Sequence, residues 1–427
     1  MALGVNNLTG QPELRRRIFW TVGLLVAFRV GTHIPVPGIN PDALASFFAS
    51  IQTIVGMLNM LSGGGLERFS VVALGIMPYI TASIIMQLLQ VLVPDLKRMA
   101  KEEGSAGRRK ITQYTRYGTV LITLVQGFAI AVGFEKMQGV VIEPGWTFRL
   151  ATIITLMAGT VLLMWLGEQI TERGIGNGIS LIIFSGIVAN APGAIIRLIQ
   201  RVTDGDMSFF GLLLILLVIV AVMGCIVFME RAQRRIPIHY AKRQVGRKMY
   251  GGQTTHLPLR INTSGVIPPI FASSLLSFPA VLGGLSSNEY LQTIAAWFTP
   301  GSPLYMALFV VLIVFFCFFY TAIIFDPKDI AENLKKGGGF VPGIRPGEKT
   351  QEYLDKVLAR LTLWGAVYVS LVCVFPTFLT AKMQVPLYFG GTSLLIVVGV
   401  AIDFQNQIQS HMISRQYEGY MQKGRKS

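Results

Sequence analysis

From Ser208 to Met229 the chain passes through FFGLLLILLVIVAVMGCIVF without one charged residue, and from Gly301 to Phe325 it does so again. Uncharged apolar runs of about 20 residues match the length a helix needs to cross the hydrocarbon of a bilayer. Composition agrees. Charged residues make up 14% of the chain and hydrophobic residues 52%, where a soluble domain carries about 25% charged residues. So much apolar material excludes a disordered chain. Although 37 Lys and Arg stand against 22 Asp and Glu, a basic soluble nucleic-acid binder is excluded too, because the apolar residues are gathered into spans.

Ten candidate spans follow: 18–34, 71–93, 117–134, 150–167, 174–196, 207–229, 264–285, 303–325, 361–381 and 385–402. An even number puts both termini on one side. The basic residues decide which side. They crowd Arg15–Arg17, Lys97–Arg116, Arg231–Arg260, Lys328–Arg360 and the tail, while the opposite loops hold only a few, such as Lys136, Arg149 and Lys382. By the positive-inside rule both termini and the large basic loops are cytoplasmic. Arg15–Arg17 lead into a run that contains Arg29 and lacks a small-residue cleavage site, which argues against a cleavable signal.

Two regions depart from a plain bundle. Met57–Ser70 reads MLNMLSGGGLERFS, apolar at first, broken by Gly63–Gly65, and too short to cross. It reads as a re-entrant element, tolerated only where it is buried in protein or lines a cavity, or else as an outer loop. The second region is a repeat. Gly75–Ser83 (GIMPYITAS) and Gly265–Ser273 (GVIPPIFAS) share G-x-x-P-x-I-x-A-S five spans apart. Five is odd, so the two copies have opposite topology. Proline-interrupted helices at matching places in inverted halves point to the functional centre.

The spans also lack things. An ion-coupled transporter needs buried ionisable groups, yet no carboxylate sits in the middle of a span; Arg29 and His33 lie toward one end of the first, and Glu168 and Asp403 sit at cytoplasmic ends. Gly343–Thr350 fails the phosphate-loop pattern because Glu348 separates Gly347 from Lys349. Gly174–Gly178 opens a membrane helix and follows no strand, so it is no dinucleotide site. Cys225, Cys317 and Cys373 lie in apolar runs, and the four histidines are scattered. No disulfide framework, metal site, cofactor or catalytic group is expected. The sequence reads as a passive pathway, driven from outside the chain.

Several motifs carry a resemblance. GIMPYITASIIMQLLQ (Gly75–Gln90), GRRKITQYTRYG (Gly107–Gly118), WLGEQITERGIGNGIS (Trp165–Ser180), Tyr240–Leu259, FVPGIRPGEKT (Phe340–Thr350) and GGTSLLIVV (Gly390–Val398) are similar to those of the SecY family, the channel subunits of the bacterial protein-conducting translocon. The resemblance runs from about Arg15 to Tyr417. It implies an all-α membrane protein in the bacterial inner membrane. Ten helices form two inverted five-helix halves, 1–200 and 201–409, followed by a tail at 410–427. The halves make a clamshell hinged between spans 5 and 6, with an hourglass pore, a plug helix and a lateral gate between spans 2, 3, 7 and 8.

The function implied is the passage of unfolded secretory polypeptides across the membrane and the release of membrane segments sideways into lipid, with no enzymatic step. A small-solute secondary transporter is the alternative, and a poreless insertase or scaffold a third reading. The resemblance implies partners as well: the small membrane subunits SecE and SecG, the motor ATPase SecA, the ribosome with its RNA, and signal sequences.

Residue by residue, the resemblance implies a pore ring of Ile76, Ile80, Ile183, Ile187, Ile270 and Ile396. Such a ring is a hydrophobic constriction that dewets when empty. It implies a plug formed by Leu58, Asn59, Met60, Leu61, Ser62, Gly63, Gly64, Gly65, Leu66, Glu67, Arg68 and Phe69. The expected gate contacts are Thr81, Gln126 and Ser274, hydrogen-bonded across the closed seam, with Phe278 packed near Thr81. Loops 230–259 and 326–358 are the expected docking sites, through Lys242, Arg243 and Arg345. Gly337–Gly339, Pro342, Gly343, Pro346 and Gly347 would build a turned tip that presents Arg345.

Overall fold

The computed structural model describes residues 12–41, 43–44, 62–101, 103–135, 137, 139–205, 208–240, 243–245, 248–250, 254–284, 297–298, 302–383 and 390–424; side chains at 243–245, 248–250, 277–284, 377–383 and 413–424 are outside the description. Helices form at all ten places that the apolar runs predict. They are α1 (Pro12–Gly31), α2 (Met77–Leu92), α4 (Gly104–Glu135), α5 (Trp146–Arg173), α6 (Gly178–Thr203), α7 (Phe209–Arg231), α8 (Ile267–Gly284), α9 (Pro303–Ile324), α11 (Glu348–Met383) and α12 (Gly391–Gly424), with the short α3 (Pro94–Lys101) and α10 (Pro327–Lys336) between them. Seven of the described helices are long and apolar enough to cross a membrane unaided, and α2 with α3 makes an eighth, bent by 105°. The bend falls at Val93, which is extended (φ −101°, ψ 114°) because a residue before proline avoids the helical region.

Several boundaries differ from expectation. Residues 71–76 are turns, so the second membrane helix starts only at Met77. The last one begins at Gly391 rather than Val385, which lies outside the described residues. The expected break at residue 200 falls inside α6, and α12 carries the expected tail as far as Gly424. The expected plug helix is not helical in its described part: 62–69 is a series of turns, with left-handed φ at Gly63 (+70°), Gly64 (+86°) and Phe69 (+42°). Glycine takes up such turns freely, which is why the triple-glycine stretch is turned rather than helical.

The two copies of the repeat have one local structure. Gly75 and Gly265 both adopt left-handed φ (+56° and +64°), and each is followed two residues later by the start of a helix. In both copies the isoleucine and the alanine of the motif are buried: Ile80 and Ala82 in α2, Ile270 and Ala272 in α8.

Contacts fall into two groups. α1, α2, α4, α5 and α6 pack with one another, as do α7, α8, α9, α11 and α12. Between the groups the main contacts are α2 with α8, α6 with α12 and α6 with α7. Buried Leu198 and Ile215, with Leu212 and Ile219, form a small cluster at the α6–α7 junction.

The two long loops hold a sheet that the sequence did not announce. β1 (Gln233–Tyr240) pairs antiparallel with β4 (Thr254–Arg260), and its far end pairs with β5 (Gly339–Phe340), giving the order β4-β1-β5. β2 (Arg243–Val245) and β3 (Lys248–Tyr250) form a small hairpin between β1 and β4. The sheet joins loop 230–259 to loop 326–358. Ile236, Leu259, Val341, Leu354, Val357 and Leu358 give this unit its own core.

Candidate functional site

The six isoleucines come from four helices. Ile76 precedes α2 and Ile80 lies on it, Ile183 and Ile187 share one face of α6 at i,i+4 spacing, Ile270 is on α8 and Ile396 on α12. These helices are the ones through which the two groups meet. All six side chains belong to one buried cluster, and none is more than 7% exposed. β-branching restricts each side chain at χ1, so the cluster has a fixed shape. It is continuous with ordinary helix packing, for Ile226 and Val369 belong to it as well.

Outward along α6 from this cluster sits the turned segment. A Cβ at Gly63 would lie 3.1 Å from Gly186 Cα and 3.1 Å from Phe28 Cζ, and one at Gly64 would lie 3.7 Å from Asn190 Oδ1. Gly186 and Asn190 flank Ile187, with Asn190 nearly one turn further out on α6. The carbonyl of Gly63 accepts a 2.7 Å hydrogen bond from Arg29 Nη1. Phe69 behaves as an anchor rather than as part of a free turn. It is fully buried, meets Phe134 edge-on at 4.5 Å, and its carbonyl accepts from Val36 N at 2.9 Å. Leu58 to Leu61 lie outside the described residues.

At the α2–α8 seam the expected polar contacts rearrange. Thr81 Oγ1 donates to Met77 O in its own helix at 3.1 Å. Ser274 Oγ reaches across the seam, but to the sulfur of Met77, at 3.7 Å. Gln126 Oε1 is buried without a partner among the described residues. The backbone carbonyl one turn back is always within reach of a helical threonine, and it outcompetes a cross-seam partner. The side chain of Phe278 lies outside the described residues.

The turn before α6 carries a second link between the groups. Gly176 N donates to Gln407 Oε1 at 2.7 Å, and the left-handed φ of Gly176 (+92°) brings its backbone near Phe404. The glycine-rich turn at 174–178 thus serves a helix–helix contact. Beside it Arg116 binds Glu168 through two hydrogen bonds (2.9 and 2.7 Å), fixing α4 to α5. A cavity of about 500 Å³ opens here, lined by Tyr79, Arg116, Glu168, Asn177 and Gln407 among others.

The tip around Arg345 is turned as expected. Gly343 (+78°) and Gly347 (+104°) hold left-handed φ, Thr350 Oγ1 donates to Arg345 O at 3.0 Å, and the Arg345 side chain is exposed. On the sheet below, His239 pairs with Phe340 and the two rings lie 6.1 Å apart. Lys242 and the side chain of Arg243 lie outside the described residues. Arg29, Met77 and Gln407 were not among the expected site residues. Of these only Arg29 carried a signal, as a charge inside an apolar run.

Comparison with known proteins gives a consistent result. A model of the SecY family matches residues 70–405. The Escherichia coli (strain K12) protein translocase subunit SecY is 53% identical over 422 residues, 97% of this chain and 95% of that one. The Aquifex aeolicus (strain VF5) subunit is 47% identical over 417 residues, 96% and 97% of the two chains. Among solved structures, one described as a protein conducting channel superposes with a TM-score of 0.67 at 19% identity, covering 97% of this chain and 95% of that one. Sec61 in a canine ribosome-channel complex superposes with a TM-score of 0.64 at 18% identity over 97% and 95%. With a mostly helical membrane fold, matching motifs and near-complete coverage of its relatives, the chain belongs to the SecY family.

Proposed function

We infer that the chain is the protein-conducting channel of a bacterial inner-membrane translocase. It passes unfolded polypeptides across the bilayer and releases membrane segments sideways into lipid. The observation that carries this is identity of about half over nearly the whole chain to translocase subunits, together with an isoleucine cluster drawn from the helices that join the two groups.

Within this reading Ile76, Ile80, Ile183, Ile187, Ile270 and Ile396 form the seal of the resting pore. Apolar, χ1-restricted side chains exclude water when the pore is empty and hold no passing sequence strongly. The segment from Leu58 to Arg68 is the plug, with Phe69 as its anchor; its seat beside Gly186 and Asn190 supports this. A solved relative is described as having a plug domain that stabilises the closed state and maintains a membrane seal. The lateral gate is the α2–α8 seam, with Ser274 and Met77 as its polar contact. The halves divide after Thr203, where α6 ends.

The driving force comes from partners at the cytoplasmic face, where both termini lie: the motor ATPase SecA or the ribosome, with SecE and SecG in the membrane. One solved neighbour is Sec61 in a ribosome-channel complex, and another is an idle Ssh1 complex bound to a ribosome. Arg345, on a loop tied by β5 to β1, can fork onto a carboxylate of a motor or a phosphate of RNA. Site-specific crosslinking from a stalled, half-translocated polypeptide tests the whole reading. Adducts on α2, α6, α8 and α12 are expected. Adducts confined to the lipid-facing sides of the helices, or saturable small-solute flux without them, would overturn it.

A further inference from the structure

We propose that Arg29 is a latch holding the turned segment in its seat, a positioning residue for the transport cycle; this rests on reading that segment as the plug. Arg29 is the only charged residue between Arg17 and Asp42, and it lies near the outer end of α1. An ionisable side chain in a membrane span is costly and marks a functional contact. Here the contact is the carbonyl of Gly63, which accepts from Nη1 at 2.7 Å. A bond with an ionised donor is about twice as strong as a neutral one.

The seat is built around that bond. Gly63 holds φ +70°, and the position of a Cβ there is closed off by Gly186 Cα and Phe28 Cζ at 3.1 Å and by Arg29 Nη1 at 3.3 Å. No larger residue could bring its carbonyl to the guanidinium without displacing these groups. The end of α1 is itself braced, since the carbonyl of Arg29 accepts from Thr32 Oγ1 at 2.7 Å and faces His33 Nδ1 at 2.8 Å. All of these groups belong to α1, α6 and the turn. The latch therefore moors the plug to one side of the channel, and separation of α2 from α8 does not break it.

Release follows from the nature of the acceptor. A backbone carbonyl carries no sequence information. An extended polypeptide entering the pore presents one such carbonyl at every residue. The guanidinium can pass from Gly63 to the incoming chain without being left unpaired at any stage, so the cargo supplies the competitor that frees the plug.

The test is resting single-channel recording in planar bilayers, using the full chain assembled with its membrane subunits. Arg29→Leu should raise the resting open probability about tenfold to a hundredfold, the scale of a lost hydrogen bond to a charged group. Arg29→Lys, which keeps a charged donor, should recover most of the seal. Gly63→Ala displaces the acceptor while leaving Arg29 in place. It should leak likewise and be non-additive with Arg29→Leu, and it keeps the test decisive if Arg29→Leu fails to insert. In a channel lacking Leu58–Arg68, Arg29→Leu should add nothing. If that deletion leaks but Arg29→Leu and Gly63→Ala stay tight, the latch is refuted and the plug stands. If the deletion itself stays tight, the plug reading falls.

Discussion

Ile187 offers a way to tell a pore seal from ordinary helix packing. It is fully buried on α6, a helix that meets α12, and its neighbours on that helix, Gly186 and Asn190, face the turned segment. Ile187→Ala removes three carbons. If the side chain is buried only when the channel is closed, the closed state loses about 2.4 kcal/mol at about 0.8 kcal/mol per carbon. At 1.4 kcal/mol per tenfold, that shifts the closed-to-open ratio by about fiftyfold. The comparison variant is Ile226→Ala. Ile226 is equally buried in the same cluster, but it sits on α7 and outside the proposed ring. There the truncation leaves a core cavity in open and closed states alike, costing roughly 2–5 kcal/mol of fold stability. Single-channel recording should therefore show Ile187→Ala leaking at rest and Ile226→Ala tight, while thermal denaturation in detergent shows Ile226→Ala clearly destabilised. Equal leak from both, or from neither, would refute the ring.

Arg345→Glu should abolish SecA-driven export measured with proteoliposomes, while membrane insertion of the subunit stays normal. Arg345→Lys should be intermediate, since a point charge cannot replace a fork. Met77→Cys combined with Ser274→Cys should form a disulfide in the resting channel and block translocation until a reductant is added; full transport with the crosslink complete would dismiss the α2–α8 seam as the gate. Gly265→Ala should lower the melting stability by about 1–2 kcal/mol, the cost of left-handed φ for an L-residue. No atom lies within 4 Å of the new Cβ, so the loss isolates backbone strain from crowding. Gly23→Ala, in a helix interior with equally open space, should instead gain about 1 kcal/mol.

The α2–α3 bend went unread although Pro94 disfavours a helical Val93, while the membrane helices were legible because an uncharged run of twenty residues has few folded alternatives. The β4-β1-β5 sheet was not. QRRIPIHY and TTHLPLR alternate apolar residues only at Ile236 and Ile238, and at Leu257 and Leu259, within otherwise polar segments. Their third strand is two residues long and arrives from another loop, so no local period announces it. In the expected plug the described residues 62–69 are turns, which the apolar residues before Gly63 do not announce. At the gate only the hydrogen-bond partners differ from expectation. Thr81, Gln126 and Ser274 were chosen as polar residues near a seam, but a helical hydroxyl has a carbonyl of its own helix within reach. Only packing detail puts Met77 opposite Ser274.

The way each group is held together suits the proposal that the seam between them opens. Inside the first group, glycines bring backbones into contact: a Cβ at Gly159 would run into the carbonyl of Val71, and one at Gly178 into that of Gly167. In the second group Gly391 stands in the same relation to Val372. Ion pairs add to this, an exposed one between Arg116 and Glu168 and a part-buried one between Arg149 and Glu135. Between the groups the polar links among the described residues are slight: one hydroxyl on a thioether and one amide on Gln407. A hydrogen bond across membrane helices is worth about 0.6 kcal/mol on average. The rest of the seam is apolar, and lipid tails are as apolar as the isoleucines that would face them, so no hydrophobic force opposes parting the helices toward lipid. Along the pore axis the exchange is with water, and there each exposed carbon carries its full cost. Under the proposed function, one set of isoleucines would therefore seal firmly against ions and still yield sideways to a hydrophobic segment. The chain needs no charge in its spans to tell the two directions apart.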